Sequence, residues 1–173
     1  MDLKSAIRSI PDFPKEGIIF RDITTLLLDP EAFGEAINRM HEFCRKRKVD
    51  KIIGIESRGF IFAGALADRI GVGLIPVRKA GKLPGDTIEQ TYDLEYGSAT
   101  IEVHADAISE GDSVVIVDDL IATGGTLEAT CKLVERMGGT VAGITALIDL
   151  SYLPWHNRLG GYDILSLITY DSE

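Results

Sequence analysis

The stretch SVVIVDDLIATGGTLEA, Ser113 to Ala129, decides the fold. Its first half is an unbroken apolar run ending in two carboxylates, Asp118 and Asp119. Its second half is Ala122-Thr123-Gly124-Gly125-Thr126, followed by apolar residues at helical spacing. A strand without polar alternation is buried on both faces, which happens in parallel sheets covered by helices. A loop feeding a helix presents unpaired backbone N–H groups and the positive end of the helix dipole, and its glycines let an anion approach closely. Taken alone, the Thr-Gly-Gly run would be a tight turn capped by Thr123. Two carboxylates at the end of a buried strand make a ligand site the better reading, because ligands of parallel sheets gather at strand carboxyl ends. They also pose a problem, since negative charge stands beside a cradle for negative charge.

Working outward, the same alternation recurs. LLLDPEAFGEAINRMHEFC predicts a helix with Asp29 as N-cap, Pro30 at its first position, and Phe33, Ile37, Met40 and Cys44 on one face. KIIGIE, from Lys51, reads as a strand, GFIFAGALADRI as a helix stopped by Gly71, and Gly73 to Lys79 as the next strand, too continuously apolar to have one wet face. A helix with Leu127, Cys131 and Val134 on one face follows the opening stretch, then the strand TVAGITALIDL and a last strand in YDILSLITYD. Strands alternating with helices indicate an α/β fold with a parallel sheet. Between Arg78 and Ser113 the pattern changes to a Gly/Pro/Lys-rich loop, RKAGKLPGD, and two strands joined at Tyr96-Gly97. A basic loop leading into a hairpin is a candidate lid.

The chain has 173 residues, the size of one domain, with 45% hydrophobic and 26% charged residues. A formal net charge of −9 argues against nucleic acid or an anionic membrane as a partner, since both require a basic footprint. The N-terminus lacks the apolar core of a signal peptide and no apolar run reaches membrane-spanning length, so a cytoplasmic protein is expected. Cys44 and Cys131 read as buried structural thiols and Trp155 as packing. His41, His104 and His156 show no paired spacing and no metal-ligand set is expected.

Two familiar phosphate loops do not fit. No lysine follows the glycines, as a nucleoside-triphosphate loop needs, and no G-x-G-x-x-G is present. GIESRGF spaces Gly54 and Gly59 correctly for the former, but Phe60 stands where the lysine would be.

VVIVDDLIATGGT closely resembles the signature of type I phosphoribosyltransferases, which use 5-phosphoribosyl 1-pyrophosphate as sugar donor. FPKEGIIFRDIT, ESRGF, RKAGKLPG and YDLEYG follow in the order and spacing of the purine-salvage members whose acceptor is adenine, and together span nearly the whole chain. The resemblance implies one domain over 1–173 with the parallel-sheet type I fold, flanking helices, a base-binding hood over about 1–30 and a mobile loop and hairpin over 78–103. It further implies transfer of the phosphoribosyl group to adenine, giving AMP and pyrophosphate, with Mg2+ carried mainly by the donor, and a homodimer.

By that resemblance Ala122, Thr123, Gly124, Gly125 and Thr126 cradle the 5-phosphate, and Asp118 and Asp119 take the ribose hydroxyls. Glu56, Ser57, Arg58 and Gly59 hold the pyrophosphate together with Arg78 and Lys79, and Lys82 is either a further lid cation or simply a solvated residue. A non-proline cis peptide is a family expectation for the ESRGF loop. Phe20 stacks on adenine between the main chains of Ile19 and Arg21. Glu95 stands as the lid acid, for proton movement or positioning, and Arg58 is the other catalytic candidate.

Overall fold

The computed structural model describes residues 1–94 and 96–172. A short 3-10 turn, Leu3–Ala6, precedes a ribbon of β1 (Arg8–Ile10) and β2 (Phe20–Asp22), then α1 (Thr24–Leu28) and α2 (Pro30–Arg45). The sheet and its helices follow as β3 (Lys51–Ile55), α3 (Gly59–Ile70), β4 (Gly73–Lys79), β5 (Thr87–Asp93), β6 (Ser98–His104), β7 (Ser113–Ile121), α4 (Gly125–Arg136), β8 (Thr140–Leu150), α5 (His156–Leu159) and β9 (Ile164–Tyr170). Local chemistry sets these bounds. Asp29 caps α2 by accepting from Glu31 N at 2.9 Å and Ala32 N at 3.2 Å, with Pro30 in the first turn. Gly71, at φ 81°, ends α3 in the left-handed conformation.

The strand order is β5-β6-β4-β3-β7-β8-β9. From β4 to β9 all neighbours are parallel, whereas β6 runs antiparallel to β4 and β5 antiparallel to β6. The hairpin is therefore built into the sheet edge. Its pairing with β4 covers only Arg78↔Glu102 and Lys79↔Ile101. The first half of β4 has no second strand neighbour among the described residues, which leaves Leu74 42% exposed and departs from the fully buried strand expected there.

Alternation along the central strands sends side chains to two cores. Ile52, Val115 and Val117 join Met40, Phe62 and Leu66 beneath α2 and α3. Ile53, Val114 and Ile116 join Leu127, Leu133 and Val134 beneath α4. The cysteines divide between the two, and burial pushes the Cys44 thiol up to about 11 and that of Cys131 up to about 12, so both are neutral packing groups. Arg136 Nη1, at the end of α4, donates to Glu89 O at 2.9 Å and Gln90 Oε1 at 3.0 Å, which lays β5 along that helix.

Ile116 is fully buried at the centre of the α4-side core, while Leu28 is 82% exposed. Ile116→Ala is expected to lower the free energy of unfolding by about 2–5 kcal/mol in urea titrations. Leu28→Ala should stay within about 0.5 kcal/mol of the parent.

Candidate active site

The chain leaves β3 for β4 on one side of the sheet and leaves β7 for β8 on the other, so the order reverses between β3 and β7. Loops from two adjacent strands then open into one crevice at their carboxyl ends. The β3 loop carries Glu56, Ser57, Arg58 and Gly59, and the Glu56–Ser57 peptide is cis. Strand β7 carries Asp118 and Asp119. Gly59 joins them: a Cβ on it would lie 2.9 Å from Asp118 Oδ1 and 3.1 Å from both Asp118 Cα and Val117 O. No side chain fits there, and its absence lets the start of α3 rest directly on β7.

Both aspartates are buried. Asp118 Oδ1 accepts from Asp119 N at 2.8 Å. Burial first, and then the adjacent charge of Asp119, push the Asp118 carboxyl well above the usual carboxylate range. Asp119 Oδ2 lies 2.8 Å from Arg58 Nε, an ion pair without the angles of a hydrogen bond, and that oxygen has no hydrogen-bond partner among the described residues. The Arg58 guanidinium also stands 5.5 Å from the Phe20 ring centroid, bridging the crevice to the N-terminal ribbon.

Asp118, Leu120, Ile121 and the run Ala122, Thr123, Gly124, Gly125, Thr126 and Leu127 line a concavity of about 90 Å³. The N-cap of α4 is Gly124, at φ 81°, and no side chain caps the helix; Thr123 is not the cap. A Cβ on Gly124 would meet Trp155 Cβ at 3.2 Å and Leu159 Cδ1 at 3.3 Å, so Trp155 packs behind the loop. What faces the concavity is a helix start with its amides open, suited to an anion. A roomier groove of about 490 Å³ lies between α2 and β9, but its Glu35–Arg39 charges are paired with each other and it is remote from these strand ends.

Cations gather at Glu56. Arg78 Nε and Nη2 donate to its carboxylate at 3.3 and 3.4 Å, Lys79 N at 3.1 Å, and Lys82 Nζ closes the group. Burial alone would raise this carboxyl, yet Lys82, Arg78 and the Lys79 amide hold it down to about 2. Lys82, although exposed, is thus an ion-pair partner of Glu56, and its backbone N, with that of Leu83, donates to the buried Glu102 at 2.8 and 2.6 Å. Lys79 itself is exposed.

The ribbon places Phe20 edge-on to Phe13 at 5.1 Å, with Ile19 37% exposed beside it. Arg21 stacks over the Tyr170 ring at 3.9 Å and donates to Ser9 Oγ at 2.6 Å. Asp22, buried, accepts from Arg8 Nε at 2.9 Å and Thr24 N at 3.0 Å, and Arg8 chiefly holds its carboxyl down to about 2. Glu95 lies outside the described residues. Arg58, Phe20, Asp118, Asp119 and the 122–126 loop are brought together, while Arg78 meets the site through Glu56.

Three residues are given no role by the sequence: Glu102, and, inside the quoted motifs FPKEGIIFRDIT and YDLEYG, Asp22 and Tyr92, the last with its hydroxyl 2.9 Å from Thr126 Oγ1. Period-two spacing puts Tyr92 on the face of Ile88 and Gln90, but nothing local says that α4 lies beneath it.

The Glu56 cluster has a pH signature. The folded carboxyl titrates near 2 rather than near 4.5, so the pairing stabilises the fold above about pH 4.5 and is progressively lost as pH falls toward 2. Glu56→Gln should melt below the parent at pH 7, and the gap in Tm should narrow by pH 3. A gap independent of pH would show that the ion cluster does not contribute.

Residues 24–152 match the model of the phosphoribosyl transferase domain family. The adenine phosphoribosyltransferase of Solibacter usitatus is 54% identical over 170 residues, 98% of each chain, and that of Clostridium perfringens 53% over 171 residues, 99% of each. The crystal structure of adenine phosphoribosyltransferase from Thermoanaerobacter pseudethanolicus superposes with a TM-score of 0.93 at 52% identity, covering 97% of this chain and 98% of that one. The Saccharomyces cerevisiae enzyme, complexed with an imino-altritol bisphosphate and adenine, superposes with a TM-score of 0.89 at 40% identity, covering 95% of this chain and 96% of that one. Matched by that family model over residues 24–152 and by these relatives over nearly its whole length, the chain belongs to the phosphoribosyltransferase family, among the adenine phosphoribosyltransferases.

Proposed function

We propose that this protein transfers the 5-phosphoribosyl group of 5-phosphoribosyl 1-pyrophosphate to adenine, releasing pyrophosphate and AMP in purine salvage. The observation that carries this reading is the meeting of the aspartate pair, Arg58 and the open start of α4 at one crevice. That arrangement offers separate places for the parts of one donor. The 122–126 amides and threonine hydroxyls receive the 5-phosphate, and Asp118 and Asp119 accept from the vicinal hydroxyls of the ribose. The pyrophosphate meets Arg58 and the amides of Ser57 and Gly59 at the start of α3, with the exposed Lys79 reaching it from the end of β4.

As the anomeric carbon loses pyrophosphate, positive charge grows on the sugar. The buried Asp118–Asp119 pair, sharing its negative charge at the end of β7, stabilises that charge without reorganising. Arg58 exchanges Asp119 for the departing anion, so the cation that neutralises the free site follows the leaving group. Glu56 acts through Arg78 and Lys82, setting cations in place rather than touching an anion. Phe20 stacks on adenine, and the Ile19 and Arg21 main chains tell amino from oxo purines. Glu95 serves the proton or the position of the base.

Mg2+ fits this site as a passenger of the donor. Asp118 and Asp119 are hard oxygen donors, and Asp119 Oδ2, ion-paired with Arg58, makes no hydrogen bond, so the pair could hold the ion only together with donor oxygens and water. When bound, the ion offsets pyrophosphate charge. The same reading makes the protein a cytoplasmic homodimer; no helix among the described residues is long and apolar enough to cross a membrane.

Incubation with donor, Mg2+ and each of adenine, hypoxanthine, guanine and xanthine should give nucleotide from adenine alone, and a preference for an oxo purine would overturn the base assignment. Arg58→Ala should lower kcat/KM about 100-fold while AMP affinity changes only a few-fold. Equal losses in both would remove Arg58 from the pyrophosphate.

A further inference from the structure

Tyr92 opens the YDLEYG motif, in which the resemblance gives it no role, yet it touches the 122–126 loop twice. Its ring covers Gly125: a Cβ there would meet Tyr92 Cδ2 at 3.1 Å and Cε2 at 3.4 Å, with Asp93 O at 3.8 Å. Its hydroxyl lies 2.9 Å from Thr126 Oγ1, and either oxygen can be the donor. The ring packs on the core beneath α4, and Arg136 holds the same strand at the far end of that helix. Two residues beyond Tyr92 the chain turns, closed by Leu94 N donating to Gly97 O at 3.0 Å.

We propose that Tyr92 is a positioning residue that orients the Thr126 hydroxyl toward the 5-phosphate and so ties occupancy of the phosphate loop to the hairpin. The proposal rests on the reading of Ala122 to Thr126 as the phosphate cradle. A threonine hydroxyl has one proton and cannot give it to Tyr92 and to a phosphate oxygen at once. When an anion takes that proton, Thr126 Oγ1 is left as an acceptor facing Tyr92, whose own O–H then donates to it. The chain runs Tyr92 to Thr126 to phosphate, and each bond polarises the next. Binding thereby fixes the direction of a bond that is free to run either way without the anion, and the strand bearing Tyr92 leads directly into the hairpin turn.

The test uses the full-length protein with Tyr92→Phe, Thr126→Val, Thr126→Ser and the Tyr92→Phe/Thr126→Val pair, with ribose 5-phosphate and AMP as calorimetric probes and melting temperature as the check on folding. Tyr92→Phe, which keeps the ring over Gly125, should weaken ribose 5-phosphate by about 3- to 10-fold, the size of one lost hydrogen bond. It should raise KM for the donor and leave KM for adenine unchanged. In the Thr126→Val background the same change should cost nothing further, whereas Thr126→Ser should restore sensitivity to Tyr92→Phe. AMP should slow amide exchange across residues 87–94 in the parent and less so in Tyr92→Phe. Parent-like ribose 5-phosphate binding by Tyr92→Phe, or additive losses in the pair, would overturn the role of Tyr92 while leaving the phosphate cradle standing. Failure of the parent to bind ribose 5-phosphate would overturn both.

Discussion

The approach of Gly59 to Asp118, with 2.9 Å left for an atom that is not there, is the contact on which the rest of the site depends. It lets α3 begin on top of β7, so that two strand-end loops, more than fifty residues apart in sequence, share one crevice. A methyl group would have to displace a strand backbone and a buried carboxylate, neither of which yields cheaply. Because the two strands are neighbours in the parallel sheet, their first helical amides and their terminal carboxylates face the same space.

On the proposed function, that geometry accounts for how a chain with net charge −9 would hold a highly anionic donor. Its carboxylates and cations are interleaved. Asp119 pairs with Arg58, and Glu56 gathers Arg78 and Lys82. Arg58, Arg78 and Lys82 are each held by a carboxylate, and on the proposed function an arriving pyrophosphate would compete for cations already in place. On the same proposal the aspartates at the end of β7 would suit a sugar whose charge becomes positive. The raised proton affinity of Asp118 belongs to the same arrangement, because two adjacent buried carboxylates resist bearing full charge together.

Much of this was legible before any coordinates. The apolar runs and helix stops placed β3, β7, α3 and α4, since burial on both faces and left-handed glycine at Gly71 are local demands. The glycine-threonine helix start beside the aspartates was legible because it is contiguous in sequence, from Asp118 to Thr126. Lys82 and Tyr92 were not, because each acts through a partner distant in the chain, Glu56 and Thr126 respectively. The exposed start of β4 was missed because whether a strand face is wet depends on how far its neighbour extends.

By itself the amino-acid sequence determined the alternating α/β order, the strand with its two terminal aspartates, and the glycine-threonine helix start, all of which follow from the periodicity of burial and from backbone freedom at a few positions. Tertiary structure alone decided which carboxylate neutralises which cation, that the hairpin is an edge of the sheet laid along α4, and that Tyr92 reaches the loop. Charge pairing and hydrogen bonding act through a few ångströms of space, and that proximity is created only when β3, β7 and the hairpin assemble.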